Sequence, residues 1–95
     1  MHVISRRALL EFAQEHPDAA GPLHAWYRIV DRTQFLSFQE LRKTFPSADL
    51  VDSLIVFNIE GNKYRLVAGV HFNRQKLYIR RVLTHAEYDR GRWRS

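Results

Sequence analysis

The chain has 95 residues, 45% of them hydrophobic, no cysteine and a formal net charge of +5. That length supports one hydrophobic core and not two, so a single domain over residues 1–95 is expected. Without cysteine there are no disulfides, no thiolate catalysis and no cysteine-ligated zinc; without an apolar run of about 18 to 20 residues there is no membrane-spanning helix, and the expectation is a soluble, unprocessed, cytoplasmic protein.

The opening "HVIS" reads as a short strand, and Ser5 as the N-cap of a helix over "RRALLEFAQEH", where Ala8, Leu9, Phe12 and Ala13 share a face. Pro17 ends that helix. A second follows in "PLHAWYRIVDRTQF", with Leu23, Trp26, Tyr27 and Val30 at helical spacing and Pro22 suited to the first turn. The third and shortest begins at Ser37, where "SFQE" has the capping-box pattern, and stops at "FPSAD". Asp49 and Asp52 read as turn residues. From Leu54 the apolar period falls to two, and "LIVFNI", "KYRLVAGVHF" and "KLYIRRVL" read as three strands joined by short turns. In "VLTHAEYDRG", Thr84 and Glu87 form a second capping pattern that starts a terminal helical turn, and "GRWRS" reads as a frayed tail. The expected fold class is α+β, a small antiparallel sheet with the N-terminal helices packed on one face and a short C-terminal helical turn.

Alternation separates the sheet faces. Tyr64, Leu66, Ala68, Val70 and Phe72 form the core set of the middle strand, while Lys63, Arg65, Val67, Gly69, His71 and Asn73 form a largely polar outward set. In the last strand Leu77, Ile79 and Leu83 go with the core; Lys76, Tyr78, Arg80 and Val82 face outward. Arg81 falls on the apolar parity and is therefore placed near the strand end, reaching around the rim. A two-residue loop at Gly61-Asn62 sets Asn58 across from Arg65, and one at Arg74-Gln75 pairs His71 with Tyr78, Gly69 with Arg80 and Arg65 with Thr84. The outward face then collects Asn58, Lys63, Arg65, His71, Tyr78 and Arg80, with His85 and Tyr88 at its edge.

That face carries the charge. Residues 1–60 hold six Lys/Arg against eight Asp/Glu, whereas residues 61–95 hold nine against two. A basic field so concentrated suits a polyanion such as nucleic acid. Arginines beside a histidine and a tyrosine suit phosphodiester chemistry: guanidinium groups stabilise developing phosphate charge, and imidazole moves protons near neutral pH. RNA fits best because its own 2′-hydroxyl can serve as the nucleophile. No recognisable metal-ligand spacing is present, so no metal or cofactor is expected. Blander accounts exist for each residue: His85 as part of a capped first turn, Arg65 and Arg80 as solvated strand residues, His71 as a surface cross-strand partner, and Tyr78 as cover for the sheet.

The stretch Phe45–Asp89, with "VFNIEGNKYRL" and "YIRRVLTHAEYD", resembles the HigB-type toxins of bacterial type II toxin–antitoxin systems within the RelE-like superfamily, and "MHVIS" and "HPDAAGPLHAWY" extend the likeness over nearly the whole chain. The resemblance implies a RelE-like fold and an mRNA interferase: a metal-independent endoribonuclease, often ribosome-associated, that cleaves by 2′-hydroxyl attack, blocks translation, and is neutralised by a HigA-type helix-turn-helix antitoxin. The matching motif positions are Asn58, Asn62, Lys63, Arg65, Arg80, His85 and Tyr88. On chemical grounds Arg65 and Arg80 are assigned to phosphate stabilisation, His85 to general acid or base work, Tyr88 to positioning or proton transfer and Lys63 to backbone binding; Asn58, Asn62, His71, Tyr78 and Arg81 complete the expected RNA face. The chain departs from the family at Glu60-Gly61, where two glycines are more usual. A noncatalytic RNA-binding or interaction domain is the alternative.

Overall fold

A computed structural model describes residues 1–94. One five-stranded sheet in the order β1-β5-β4-β3-β2 forms its centre, from β1 (His2–Ile4), β2 (Asp49–Val51), β3 (Leu54–Ile59), β4 (Tyr64–His71) and β5 (Lys76–Thr84). The sheet is α+β as expected but mixed: β1 lies parallel to β5, with Val3 opposite Leu77, while the other pairings are antiparallel. Two short edge strands therefore flank the three legible from alternation. Asp49 is not a turn residue; it lies in β2 opposite Val56, and only Asp52, at φ 56°, makes the turn into β3.

Three helices cover one face: α1 (Arg7–Glu15), α2 (Ala20–Arg32) and α3 (Phe38–Thr44). Leu9 from α1, Leu23, Trp26 and Val30 from α2 and Leu41 from α3 are buried against Ile55, Phe57, Ile59, Tyr64, Leu66, Ala68, Leu77 and Ile79 from the sheet, so the inward set, Leu83 excepted, is the core it was read to be. Ser37 caps α3 as expected, accepting the Glu40 N–H at 3.2 Å. Ser5 does not cap α1. It sits at φ 75°, and Arg6 precedes the helix without a side-chain bond, because the chain must reverse sharply from β1 into α1. A 3-10 turn at Pro17–Ala19 joins α1 to α2. The Met1 amino group donates to the Val30 and Thr33 carbonyls at the end of α2, at 3.1 and 2.7 Å, tying β1 to that helix.

The β4–β5 register differs from the expected one for two reasons. First, Phe72 leaves the strand into a 3-10 turn at Phe72–Arg74 and Gln75 adopts φ 53°, so the connection has four residues and His71 pairs with Lys76, Gly69 with Tyr78. The Gln75 amide fixes this turn by donating to the Phe35 and Phe72 carbonyls at 2.6 and 2.8 Å. Second, a β-bulge leaves Arg80 without a partner: Ala68 faces Ile79, whereas Val67 faces Arg81. The extra residue changes the parity of everything after it. Arg81 is consequently in the outward set, opposite Val67 and well inside the strand, and does not reach around a rim. Val82 packs inward and Leu83 outward, Arg65 lies opposite Leu83, and Thr84 opposite Tyr64.

Candidate active site

The outward face is not uniformly polar. Val67 is fully buried there, together with Val56 and Trp93, and Val51, Leu54, Leu83 and Tyr88 pack around them. This second apolar cluster exists because the tail folds back. A final helix, α4 (His85–Arg90), starts at Thr84, whose backbone N–H donates to Glu87 Oε1 at 2.9 Å while Glu87 N–H donates to Thr84 Oγ1 at 3.2 Å. Both halves of the expected capping box are thus made. Gly91 ends the helix at φ 75°, donating its N–H to the Tyr88 carbonyl at 3.1 Å. That left-handed residue, which glycine adopts without steric cost, turns the chain so that Trp93 lies on the sheet, 8% exposed. As far as Trp93 the tail is docked and not frayed; Ser95 lies outside the described residues.

Trp93 and Tyr88 stack with ring centroids 5.0 Å apart and planes 14° from parallel, and the indole N–H donates to the Tyr88 carbonyl at 2.9 Å. The Arg65 guanidinium lies 5.5 Å from the Tyr88 ring centre, while its Nη1 donates to the Asn62 and Tyr64 carbonyls at 2.9 and 3.2 Å. Arg65 is therefore held from below by the β3–β4 turn and alongside by an aromatic face. The same turn holds the start of α4, since the His85 N–H donates to the Lys63 carbonyl at 3.2 Å. One corner thereby gathers Arg65, Tyr88 and the backbone of His85. Across the corner Asn58 faces Arg65, as expected, and its amide reaches the Asn62 side chain at 3.4 Å.

His85 Nδ1 is 2.9 Å from Asp89 Oδ2, one helical turn on. Nδ1 is thereby fixed, leaving Nε2 as the nitrogen with which the ring can exchange a proton with a ligand. Asp89 in this orienting position was not picked out from the sequence, although its i,i+4 spacing from His85 within a capped helix was a readable signal. Trp93 was also missed, and there the signal was weaker: one aromatic after a glycine.

The remaining expected residues divide into two groups. His71 and Tyr78 form an edge-to-face pair, centroids 5.4 Å apart, on the outward face, as diagonal and not direct neighbours. Arg80 is exposed at the bulge, with its Nε passing over Gly69, 3.7 Å from where a Cβ would stand. Arg65 and Arg80 share the face, but the Val67 cluster lies between them along the strands. Lys63 is engaged elsewhere: its ammonium pairs with Asp18, to which the Tyr64 hydroxyl also donates at 2.7 Å. The hydrogen bonds from Lys63 and then Tyr64 hold the Asp18 carboxyl below its ordinary range, and Asp18 in turn raises both Lys63 and Tyr64. The Thr84 backbone N–H likewise holds Glu87 below the ordinary carboxylate range. Among the described residues no three His, Cys, Asp or Glu side chains come together as metal ligands would, and no helix is long and apolar enough to cross a membrane.

Comparison with known proteins places this geometry in context. Residues 19–91 match the family described as HigB_toxin, the RelE-like toxic component of a toxin–antitoxin system. The chain is similar to the mRNA interferase toxin HigB of Escherichia coli K12, 40% identical over 92 residues that span 94% of this chain and 88% of the relative. The mRNA interferase HigB of Shigella flexneri matches to the same extent. That of Escherichia coli O6:H1 is 32% identical over 93 residues, 95% of this chain and 90% of the relative.

Proposed function

Since the chain belongs to the RelE-like HigB toxin family, it is the mRNA-cleaving toxin of a toxin–antitoxin pair, and we propose that it cuts by 2′-hydroxyl attack at the corner where α4 meets β4. The observation that carries this placement is the convergence of Arg65, Tyr88 and His85 on the β3–β4 turn. Arg65, already fixed by two carbonyls and a ring, offers its remaining guanidinium donors to the scissile phosphate, where they stabilise the charge that builds up in the transition state. His85, oriented by Asp89, exchanges a proton through Nε2 with the 2′-hydroxyl or the leaving 5′-oxygen. Tyr88 positions the substrate, and Arg80 binds phosphate further along the face. Asn58, Asn62, His71, Tyr78 and Arg81 line the RNA path. Lys63 serves RNA only by exchanging Asp18 for a phosphate, so its first role is to anchor the turn that holds Arg65.

The reaction needs no metal because RNA supplies the nucleophile. The same reading makes the toxin cytoplasmic, acting on messages at the ribosome, with a HigA-type helix-turn-helix protein as its antitoxin. Induced in a bacterial host, the wild type arrests growth, and His85→Ala or antitoxin co-expression restores it. Purified protein cuts mRNA in the presence of a chelator, and Arg65→Ala and His85→Ala each lower the rate by at least about tenfold. Healthy growth at high expression, or RNA binding by a wild type that cuts nothing, leaves the noncatalytic alternative standing.

A further inference from the structure

Beside the Tyr88–Trp93 stack a cleft is lined by Arg81, Leu83, Glu87, Arg90, Arg92 and Trp93. Three of these side chains carry permanent positive charge and one is a carboxylate. Glu87 is already committed to the cap of α4, and it cancels one of the three charges. The Trp93 indole N–H is committed to the Tyr88 carbonyl, so guanidinium groups supply most of the donors over an apolar floor. A planar, multi-donor cation of this kind selects carboxylate or phosphate.

Position narrows the choice. Arg81 lies opposite Val67 and Arg65 opposite Leu83, two residues apart along the same ladder. At about 3.4 Å per residue that is about 7 Å, comparable to two steps of a stacked nucleic-acid strand at about 3.4 Å each. A strand held at Arg65 and running along the ladder toward Arg81 would reach this cleft.

We infer that the cleft formed by Arg81, Arg90 and Arg92 over Trp93 is a subsite for a second phosphodiester of the RNA, one or two nucleotides from the cleaved bond. This rests on the RNA-cutting reading above and extends it to residues of α4 and the docked tail. The subsite exists only because Gly91 turns the chain back and Trp93 seats it.

The test uses the full chain and a strand of a cleaved RNA sequence made with 2′-deoxy sugars, which lacks the nucleophile and so reports binding alone. Arg81→Gln with Arg90→Gln weakens that binding at least about tenfold at low salt, and the slope of log affinity against log salt becomes shallower by about 0.7 for the lost contact. In cleavage, KM rises by a similar factor, and more than kcat falls. A shorter strand ending at the scissile phosphate binds wild type and variant alike. Arg90→Gln alone, on an exposed helix position, gives part of the effect and guards against misfolding of the double variant. Equal binding of the long strand by both proteins overturns the subsite, as does a fall in kcat at constant KM. Normal RNA binding with lost neutralisation by the antitoxin also overturns it, and assigns the cleft to an acidic protein surface. If the wild type cuts no RNA but the binding results hold, cleavage fails and the subsite stands.

Discussion

At the residue scale, one side chain absent from the sequence-derived constellation, Trp93, governs how it is held. Trp93 packs on Tyr88, and Tyr88 carries Arg65, so loss of the indole leaves the ring without its support. Trp93→Ala is expected to cost about 3 kcal/mol in stability, as for other large-to-small changes at buried aromatics, and to lower kcat more than it raises KM. Trp93→Phe, which keeps a stacking ring but loses the N–H to the Tyr88 carbonyl, should recover most of the rate. Unaltered kcat in a folded Trp93→Ala protein would separate the tail from the chemistry. A second residue-scale effect sits in the turn. Glu60, at φ 54°, occupies a left-handed position that costs a non-glycine residue about 1 to 2 kcal/mol. It is also where the family pattern has glycine. Glu60→Gly should raise the unfolding free energy by up to about 1 kcal/mol once the greater freedom of glycine in the unfolded chain is deducted, and should tighten RNA binding by removing a carboxylate from the turn that holds Arg65.

At the element scale, alternation identified three strands and, as far as the bulge in β5, both faces, because β3, β4 and β5 each have one side against the core; beyond the bulge it put Val82 and Leu83 on the wrong sides. It could not identify β1 and β2 as firmly. A three-residue edge strand shows too little pattern, and Asp49 and Leu50 are exposed. The bulge was hidden for a different reason: Arg80-Arg81 reads as one outward and one inward residue unless the chain is known to carry an extra position. The contradiction of a charge on the apolar parity was its only trace. Because the bulge merely adds a residue, deleting Arg80 leaves Ile79 and Val82 inward and Leu83 outward. The deletion variant should therefore fold with a near-native circular dichroism spectrum and melt within a few degrees of wild type, while losing RNA affinity through one guanidinium. Failure to fold would show that the bulge is required for the twist of the sheet. The cap of α4 was fully legible, since Thr84 and Glu87 are local to one another; Thr84→Ala should cost about 1 kcal/mol.

At the scale of the whole molecule, the candidate site depends on contacts between distant parts of the chain, which local pattern does not display. Asp18 lies 45 residues before Lys63, yet it decides where that lysine points. Its effect should appear in the dependence of stability on pH. Asp18 is held below its ordinary 3.8, so its contribution is fully present above that pH and is lost as pH falls through the lower folded value. Lys63 is held above its ordinary 10.5, so its contribution is present below that pH and is lost as pH rises through the higher folded value. Urea denaturation should show Asp18→Asn less stable than wild type at pH 7 and the two converging as the solution is acidified below about 3.8. A gap that persists in strong acid would mean the carboxylate is not the group responsible.

The parallel pairing of β1 with β5 brings Val3 against Leu77 and closes the sheet with the first strand of the chain beside the last. During synthesis β1 has no partner until β5 has been made, and the β4 edge that β5 will cover stays open for the same interval. The Val56–Val67 side of the sheet likewise stays uncovered until Trp93 follows. A nascent chain halted at the β4–β5 turn should accordingly be digested rapidly by protease, whereas one extended beyond Trp93 and clear of the ribosome should resist. The toxin's own architecture thus withholds its competence until Trp93 has been translated, by the same process it goes on to interrupt.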